Sequence, residues 1–587
     1  MFATSLLFAF LGLFGRSNTA VPEIEVAAVT RPCVAARPDS AWEVRIVESG
    51  EFTARLYDAS GALVAGPCAS KRFTVPRADL WSPEDPVLYR LELENAEGVR
   101  SAVLPFRWTG LENGAFRLNG RDFPLRALAP GEAAGTEPTE ASMREELRAA
   151  KAVRANAVTA AYRHDSALWR RICLEEGFFI VGGGVPVETV VCTTGRDRHE
   201  TAYAARPWSV RETNYFQRVI VRNGTRFTPA RGVTLDWTVL KDGVPAARGA
   251  FDLRGLRPQS ECSFGMPGEA VAAAADGSSV SVRFAFRKGR EPLGEDQIDV
   301  VASRDLEIPA TAGRIGYTES DETFSFATRR AEIAFSRRTG LPVAFTPRRF
   351  LRPDRQLLAA GLAPVSALFA GPAVPTVREI SPVDERAGRV TFKSFVDWTA
   401  PASDGRTVLL ASVFRWTVFA DGTLACDAAV QPLPGSDFAA AGLALGFSVP
   451  GADTEVRWFG RGPWEHRAGD AAAFLGLWTR PGTDFADADD PAATGLRTDT
   501  RGFAAGGIAV RTLASPFDFT ARPEAESDSL RLAVFTRPAA DGRLEFRFTM
   551  APDDGPLSAR AFDRSPIPDF PERPATDTND TNASNTK

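Results

Sequence analysis

Only one stretch of this 587-residue chain, Leu111 to Val185, carries the strand, helix, strand, helix, strand grammar of a parallel sheet. FRLNGRDFPLRAL reads as a hairpin running into a strand. SMREELRAAKAVRAN follows with a helical pattern: Ser142 and Glu145 have capping-box spacing, and Met143, Leu147, Ala150 and Val153 fall on one stripe. A strand is predicted over Asn156–Ala160. A second helix from about Ser166 is closed by Gly177 at C′, ahead of the apolar strand FFIV. Whatever this segment does, it can supply only a few parallel strands.

Nearly everything else reads as antiparallel β structure. Gly 49 and Pro 42 punctuate the chain into short elements rather than long helices. Hairpins are expected at Ala59-Ser60-Gly61, at Asp242-Gly243 and at Asp421-Gly422, where alternating runs flank turn residues. Residues 21–108 and 209–308 read as small immunoglobulin-like sandwiches, and 313–555 as one large β-sandwich. Residues 186–208 show neither helical nor strand periodicity and read as a linker. Residues 556–587 end in TDTNDTNASNTK, polar and without aromatics, and read as a disordered tail.

An apolar run from Leu6 to Phe14, followed by small and polar residues up to Ala20, resembles a secretory signal, although no Lys or Arg precedes it. Residues 1–20 are therefore expected to be a signal peptide, with the protein secreted or periplasmic. No later stretch reaches the roughly 18 apolar residues of a membrane span. A formal net charge of -5 without basic blocks argues against nucleic acid as partner. The three histidines, His164, His199 and His466, are far apart in sequence, which disfavours a multi-histidine metal site. Six cysteines form no C-x-x-C pair. In an exported protein Cys33 and Cys68 could form a disulfide or remain single thiols.

Four segments, in order, resemble glycoside hydrolase family 2, β-galactosidase type. They are LWSPEDPVLYRLELE (80–94), FRLNGRDFPLRAL (116–128), NAVTAAYRHDSALWRRICLEEGFFIV (156–181), and VRWFGRGPWEHR (456–467) together with GLRTDTRGF (495–503). The resemblance implies a mostly β chain, with tandem immunoglobulin-like sandwiches and a large C-terminal β-sandwich, around a truncated α/β barrel remnant at 111–185. A (β/α)8 barrel occupies roughly 250 residues, so about five βα units have no sequence to build them.

The departures from the family pattern fall on its reactive groups. Retaining glycosidases use two carboxylates about 5–5.5 Å apart, and the strands that carry the family's glutamate pair are missing. Where the family has a His-Glu pair after the first strand, this chain has Ala129 and Pro130. Thr159 stands for an Arg, Tyr162 for a His, and Gly182 and Gly183 for an Asp-Glu pair. The scaffold positions Arg126, Asn156, Leu168, Trp169, Cys173 and Gly177 match the family, so the resemblance implies a kept framework and a lost catalytic centre. No catalytic residue, metal ligand or cofactor is assigned.

Other carboxylates do not restore a pair. Glu175 and Glu176 are helix neighbours that read as a solvated face, while Glu188 and Glu200 lie in the expected linker. His164, Asp165 and Ser166 are adjacent and cannot adopt triad geometry. In the large sandwich Trp458 alternates with Val456 and reads as core. Trp464 follows Gly462-Pro463 at a strand end, where an indole could stack on a sugar face while Glu465 and Arg467 bond its hydroxyls. Asn156 and Tyr162 form a second, poorer carbohydrate site. The expected function is a degenerate, non-catalytic β-galactosidase-like protein, carbohydrate-associated or a scaffold. The alternative is an active β-galactosidase-type hydrolase completed by a partner chain. A galactoside or β-linked glycan is the expected partner, and the sequence is compatible with an oligomer.

Overall fold

The computed structural model describes residues 28–34, 39–47, 50–128, 139–159, 167–182, 185–190, 195–213, 216–274, 279–301, 312–348, 358–364, 374–401, 407–432, 443–486, 494–513, 516–524, 527–535, 537–538, 543–553 and 557. The expected signal peptide, the tail and Tyr162 lie outside them, apart from Leu557. Two compact units are present. One comprises residues 1–236, 250–264 and 285–295, and the other 237–249, 265–284 and 296–587. Strands of the second small sandwich contribute to both.

The fold is mostly β. In the first sandwich a three-stranded sheet (Ala28–Pro32, Trp42–Ile46, Arg72–Val75) faces a four-stranded one ordered Leu63–Cys68, Thr53–Tyr57, Tyr89–Asn95, Gly98–Leu104. Period-2 alternation buries Trp42, Val44, Leu56 and Leu91 between them, with Trp42 edge-on to Phe106 at 5.7 Å. Cys33 and Cys68 carry free thiols. The large sandwich combines an eleven-stranded antiparallel sheet with a five-stranded one. A further four-stranded sheet (Gly316–Glu319 to Pro342–Pro347) packs into the same core, which includes Phe326, Trp398, Trp416 and Trp458. The turn at Asp242-Gly243 has both residues at positive φ, 50° and 80°, as a two-residue type I′ hairpin requires.

The parallel sheet has four strands in the order Phe179–Val181, Ala157–Thr159, Arg126–Leu128, Glu188–Val190, and no barrel closes among the described residues. Its alternation defines two faces. Leu128 and Val158 face helices α1 (Glu140–Ala152) and α2 (Ala167–Glu176), meeting Met143, Leu147, Trp169 and Ile172. Ala127, Ala157, Phe179 and Val181 face the other way, onto Trp81, Phe116, Leu118 and Phe123. Helix α2 ends in a Schellman motif: Phe178 N donates to Cys173 O at 2.6 Å and Gly177 N to Leu174 O at 3.3 Å, with Gly177 at φ 77°.

Three local readings are corrected. Helix α1 is capped by Thr139, whose hydroxyl accepts from Ser142 N at 3.2 Å, rather than by a box starting at Ser142. Residues 186–208 are not a linker. Strand Glu188–Val190 lies within them, with Glu188 N donating to Leu125 O at 2.8 Å, and so does helix α3 (Gly195–Ala204). The strand pairs an edge of the parallel sheet that would otherwise expose unbonded backbone groups. Glu175 and Glu176 are not a solvated face but hold Arg144 across the α1–α2 contact, at 2.5 and 3.1 Å. No described helix is long and apolar enough to cross a membrane.

Candidate carbohydrate site and the ends of the parallel sheet

Strand Glu455–Gly462 of the large sheet delivers the loop 463–470. Its two neighbours are strand Phe474–Pro481 and strand Gly502–Ala505, the latter paired through Trp458↔Phe503. Gly462 cannot be larger, since a Cβ there would sit 2.9 Å from the rings of both Trp458 and Trp478. Trp458 is fully buried, as its alternation predicts. Arg497, also fully buried, stacks on Phe485 at 4.4 Å and on Trp458 at 5.2 Å.

Trp464 and Glu465 are half-buried and Arg467 is exposed, so the structure does bring these three to one loop. The Glu465 carboxylate accepts from Thr494 N at 2.9 Å, from Thr494 Oγ1 at 2.7 Å and from Gly495 N at 2.7 Å. It therefore ties the loop to the segment before strand Arg497–Thr500. Arg467 uses its backbone N–H on Asp470 Oδ2 at 2.7 Å.

The residue that sequence reasoning passed over is His466, wholly buried between these two. Its Nδ1–H donates to Trp464 O at 3.1 Å, and Nε2 accepts from Thr498 N at 3.1 Å. Thr498 N and Thr498 O both lie 3.1 Å from Nε2; with the N–H as its partner, Nε2 keeps its lone pair and the ring is the neutral Nδ1–H tautomer. Burial lowers the pKa of the ring, and the positive Arg497 nearby adds to this. Deeper in the same contact Arg461 reaches Asp299 at 3.0 Å and Asp499 at 3.1 Å. The phrases 456–467 and 495–503 are two halves of one contact, a pairing that neither phrase shows by itself.

The second candidate site divides. Asn156 precedes its strand, and its Oδ1 accepts from Arg126 N at 2.8 Å while Nδ2 donates to Pro124 O at 3.0 Å. It thus stitches the first two parallel strands at their N-terminal ends. Glu188 sits at the same end, in register with Arg126 and 3.3 Å from its Nε. Barrel enzymes carry their chemistry at the opposite, C-terminal ends of the strands. There the chain places Thr159 and Gly182.

The family model described as beta galactosidase small chain matches residues 374–531, a region of the large sandwich. A β-galactosidase of Pectobacterium atrosepticum is 34% identical over 122 residues, 19% of this chain and 12% of that protein. One of Halalkalibacterium halodurans is 31% identical over 146 residues, 22% of this chain and 14% of that protein. The chain thus matches only a small part of the length of these relatives. Among solved structures, a β-D-glucuronidase of Dictyoglomus thermophilum overlaps 27% of this chain and 28% of its own, at 17% identity and a TM-score of 0.23. The family model and the β-galactosidase matches make this chain similar, over part of its length, to the β-galactosidase type of glycoside hydrolase family 2.

Proposed function

We propose that this chain is an exported, non-catalytic β-galactosidase relative whose parallel sheet is a truncated barrel kept as scaffold, with carbohydrate contact confined to the Trp464 loop. The observation that carries the reading is the packing of the sheet face opposite the helices. Phe179 on that face meets Trp81 edge-on at 4.9 Å and Phe116 at 5.3 Å, and the Arg107 guanidinium lies 4.9 Å over its ring. In a closed barrel the inward side chains of the strands fill the interior together. Here the leading hairpin and Trp81 take that place, giving the remnant a core of its own.

The available carboxylates support the same reading. Glu188 is paired with Arg126 at the N-terminal end of the strands. Glu465 is occupied by three backbone and hydroxyl donors. General acid catalysis needs a carboxyl group within reach of the leaving oxygen, with a second carboxylate across the bond. The test is hydrolysis of 4-nitrophenyl β-galactoside by the purified full-length chain, expected at the no-protein rate. Turnover that survives removal of contaminating hydrolases, and disappears in Glu188→Gln or Glu200→Gln, overturns the proposal. Export is checked separately by sequencing the N-terminus of protein recovered outside the cytoplasm, expected near residue 21.

A further inference from the structure

A cavity of about 480 Å³ opens between the first sandwich and helix α2, within one unit of the chain and remote in sequence from the Trp464 loop. That volume is in the usual range for small-molecule sites, about 300–1,000 Å³. One wall is apolar, made by Leu168 and Leu174 of α2 with Phe178 and Ile180 just after it. The other is strand Gly98–Leu104, which contributes Ser101, Ala102, Val103 and Leu104 in succession. Neighbouring side chains of a strand point to opposite faces, so a cavity over one face would touch only alternate residues. The register separates those faces: Ser101 and Val103 lie beside Glu92 and Arg90, Ala102 and Leu104 beside Leu91 and Tyr89. A cavity that meets all four residues therefore runs along the edge of the strand. That edge is the outer one of its sheet, and no described strand pairs with it. We propose that the cavity binds a small uncharged ligand with an apolar body and an amide-like end, the body against α2 and the amide on the strand edge.

The polar groups that line the cavity decide what it can take. Its charged side chains are engaged with neighbours: Arg90 is ion-paired with Glu92, Arg171 reaches Glu140 at 3.4 Å, and Glu175 is held by Arg144 at 2.5 Å. Arg107 lies over Trp81 at 4.3 Å and over Phe179 at 4.9 Å, and Arg170 has a contact of its own. No side chain there waits for a counterion, so an ion entering the cavity would lose its hydration without compensation. The backbone behaves differently. In an antiparallel edge strand every second residue turns its N–H and C=O away from the partner, so two of residues 101–104 present a donor and an acceptor at the open edge. An amide can meet both, as an added strand does. The apolar wall takes the rest of the ligand out of water.

Four naphthalenes of similar size separate charge, amide and body: N-acetyl-1-naphthylamine, the anion 1-naphthoate, the cation 1-naphthylmethylammonium, and 1-ethylnaphthalene. Calorimetric titration of the full chain is expected to show one site for the amide and roughly tenfold weaker binding of either ion. 1-Ethylnaphthalene, which has no hydrogen-bonding group, should bind roughly fivefold more weakly than the amide, the loss of about one hydrogen bond. Ala167→Trp and Val103→Trp fill the cavity from its two sides, and each should weaken the amide roughly tenfold. Near-UV circular dichroism verifies the fold, and if one variant perturbs it, the other decides. Absence of amide binding to the wild type overturns the proposal. So does an ion or 1-ethylnaphthalene that binds as tightly as the amide, or amide binding that survives Ala167→Trp and Val103→Trp.

Discussion

Glu188 lies directly beside Arg126 in a parallel pair of strands, its carboxylate 3.3 Å from the arginine Nε, at the end of the sheet away from where barrel enzymes react. Arg126 is only 14% exposed and Glu188 62% exposed, so the pair half-shields a cation rather than presenting a reactive acid. Glu188→Gln is expected to cost at most about 1 kcal/mol, the usual scale for a partly solvated pair. Urea denaturation measures it. A loss several times larger would mean that this contact, rather than the backbone pairing, holds strand Glu188–Val190 in place.

Glu465 is expected to matter more. Its carboxylate satisfies two backbone N–H groups and one hydroxyl in a half-buried loop. Glu465→Ala strands those donors and should destabilise the chain by about 2 kcal/mol, with Glu465→Gln in between. A Tm unchanged in Glu465→Ala would show that water replaces the carboxylate without loss. Trp464→Ala tests the sugar reading instead. A single shallow platform should bind galactosides in roughly the millimolar range, and equal binding by wild type and variant would clear Trp464 of that role.

What the sequence made legible follows from how local each signal is. The end of α2 was readable because Gly177 must take a positive φ, and the buried stripe of α1 because Met143, Leu147, Ala150 and Val153 repeat at helical spacing. Strand Glu188–Val190 was not readable: three residues are too few for alternation, and an edge on Arg126–Leu128 selects them. Helix α3 reads GRDRHETAYA, polar with no apolar stripe, so periodicity could not find it. Trp464, Glu465 and Arg467 were placed on one loop, yet the clamp itself joins residues about 30 positions apart through His466 and Thr498. Spacing alone carries no information on such a pairing.

Gly177 gives a direct test of the helix end. A Cβ there would lie 2.8 Å from Pro83 O, and the backbone is at φ 77°. Gly177→Ala combines about 1–2 kcal/mol of left-handed strain with that clash. A loss above 2 kcal/mol is expected in urea denaturation, and a neutral substitution would place Pro83 elsewhere in solution.

The α1–α2 contact turns on Arg144, held by Glu140 at 2.8 Å, Glu175 at 2.5 Å and Glu176 at 3.1 Å. Hydrogen bonds to these carboxylates, Glu175 first, push the guanidinium pKa further up. Arg144→Gln removes the cation nearest to three acids and leaves them the longer contacts of Arg171, 3.4 Å from Glu140 and 3.7 Å from Glu175, and of Arg148, 3.7 Å from Glu176. A loss of roughly 1–2 kcal/mol is expected at neutral pH, shrinking in acid as the carboxylates protonate. The same loss at pH 4 and pH 7 would show that packing, not charge, is what the substitution removes.

His466 makes the last prediction, and its sign follows from burial. Desolvation lowers the folded-state pKa below the unfolded value of about 6.5, so the unfolded chain binds the extra proton first. Stability from the neutral ring is therefore complete above about pH 6.5 and falls as the pH drops from there toward the folded pKa. Protonation would also remove the Nε2 lone pair that accepts from Thr498 N, releasing the clamp from within. The gap in unfolding free energy between wild type and His466→Gln should thus be level from pH 7 to 8 and narrow steadily toward pH 5. Carboxylates titrating over the same range act on both proteins and cancel in the difference. A gap that is constant from pH 5 to 8 would mean that folding does not shift the ring's titration, and one that widens in acid would mean that the folded chain favours the charged ring, with Thr498 O, 3.1 Å from Nε2, as the partner it serves.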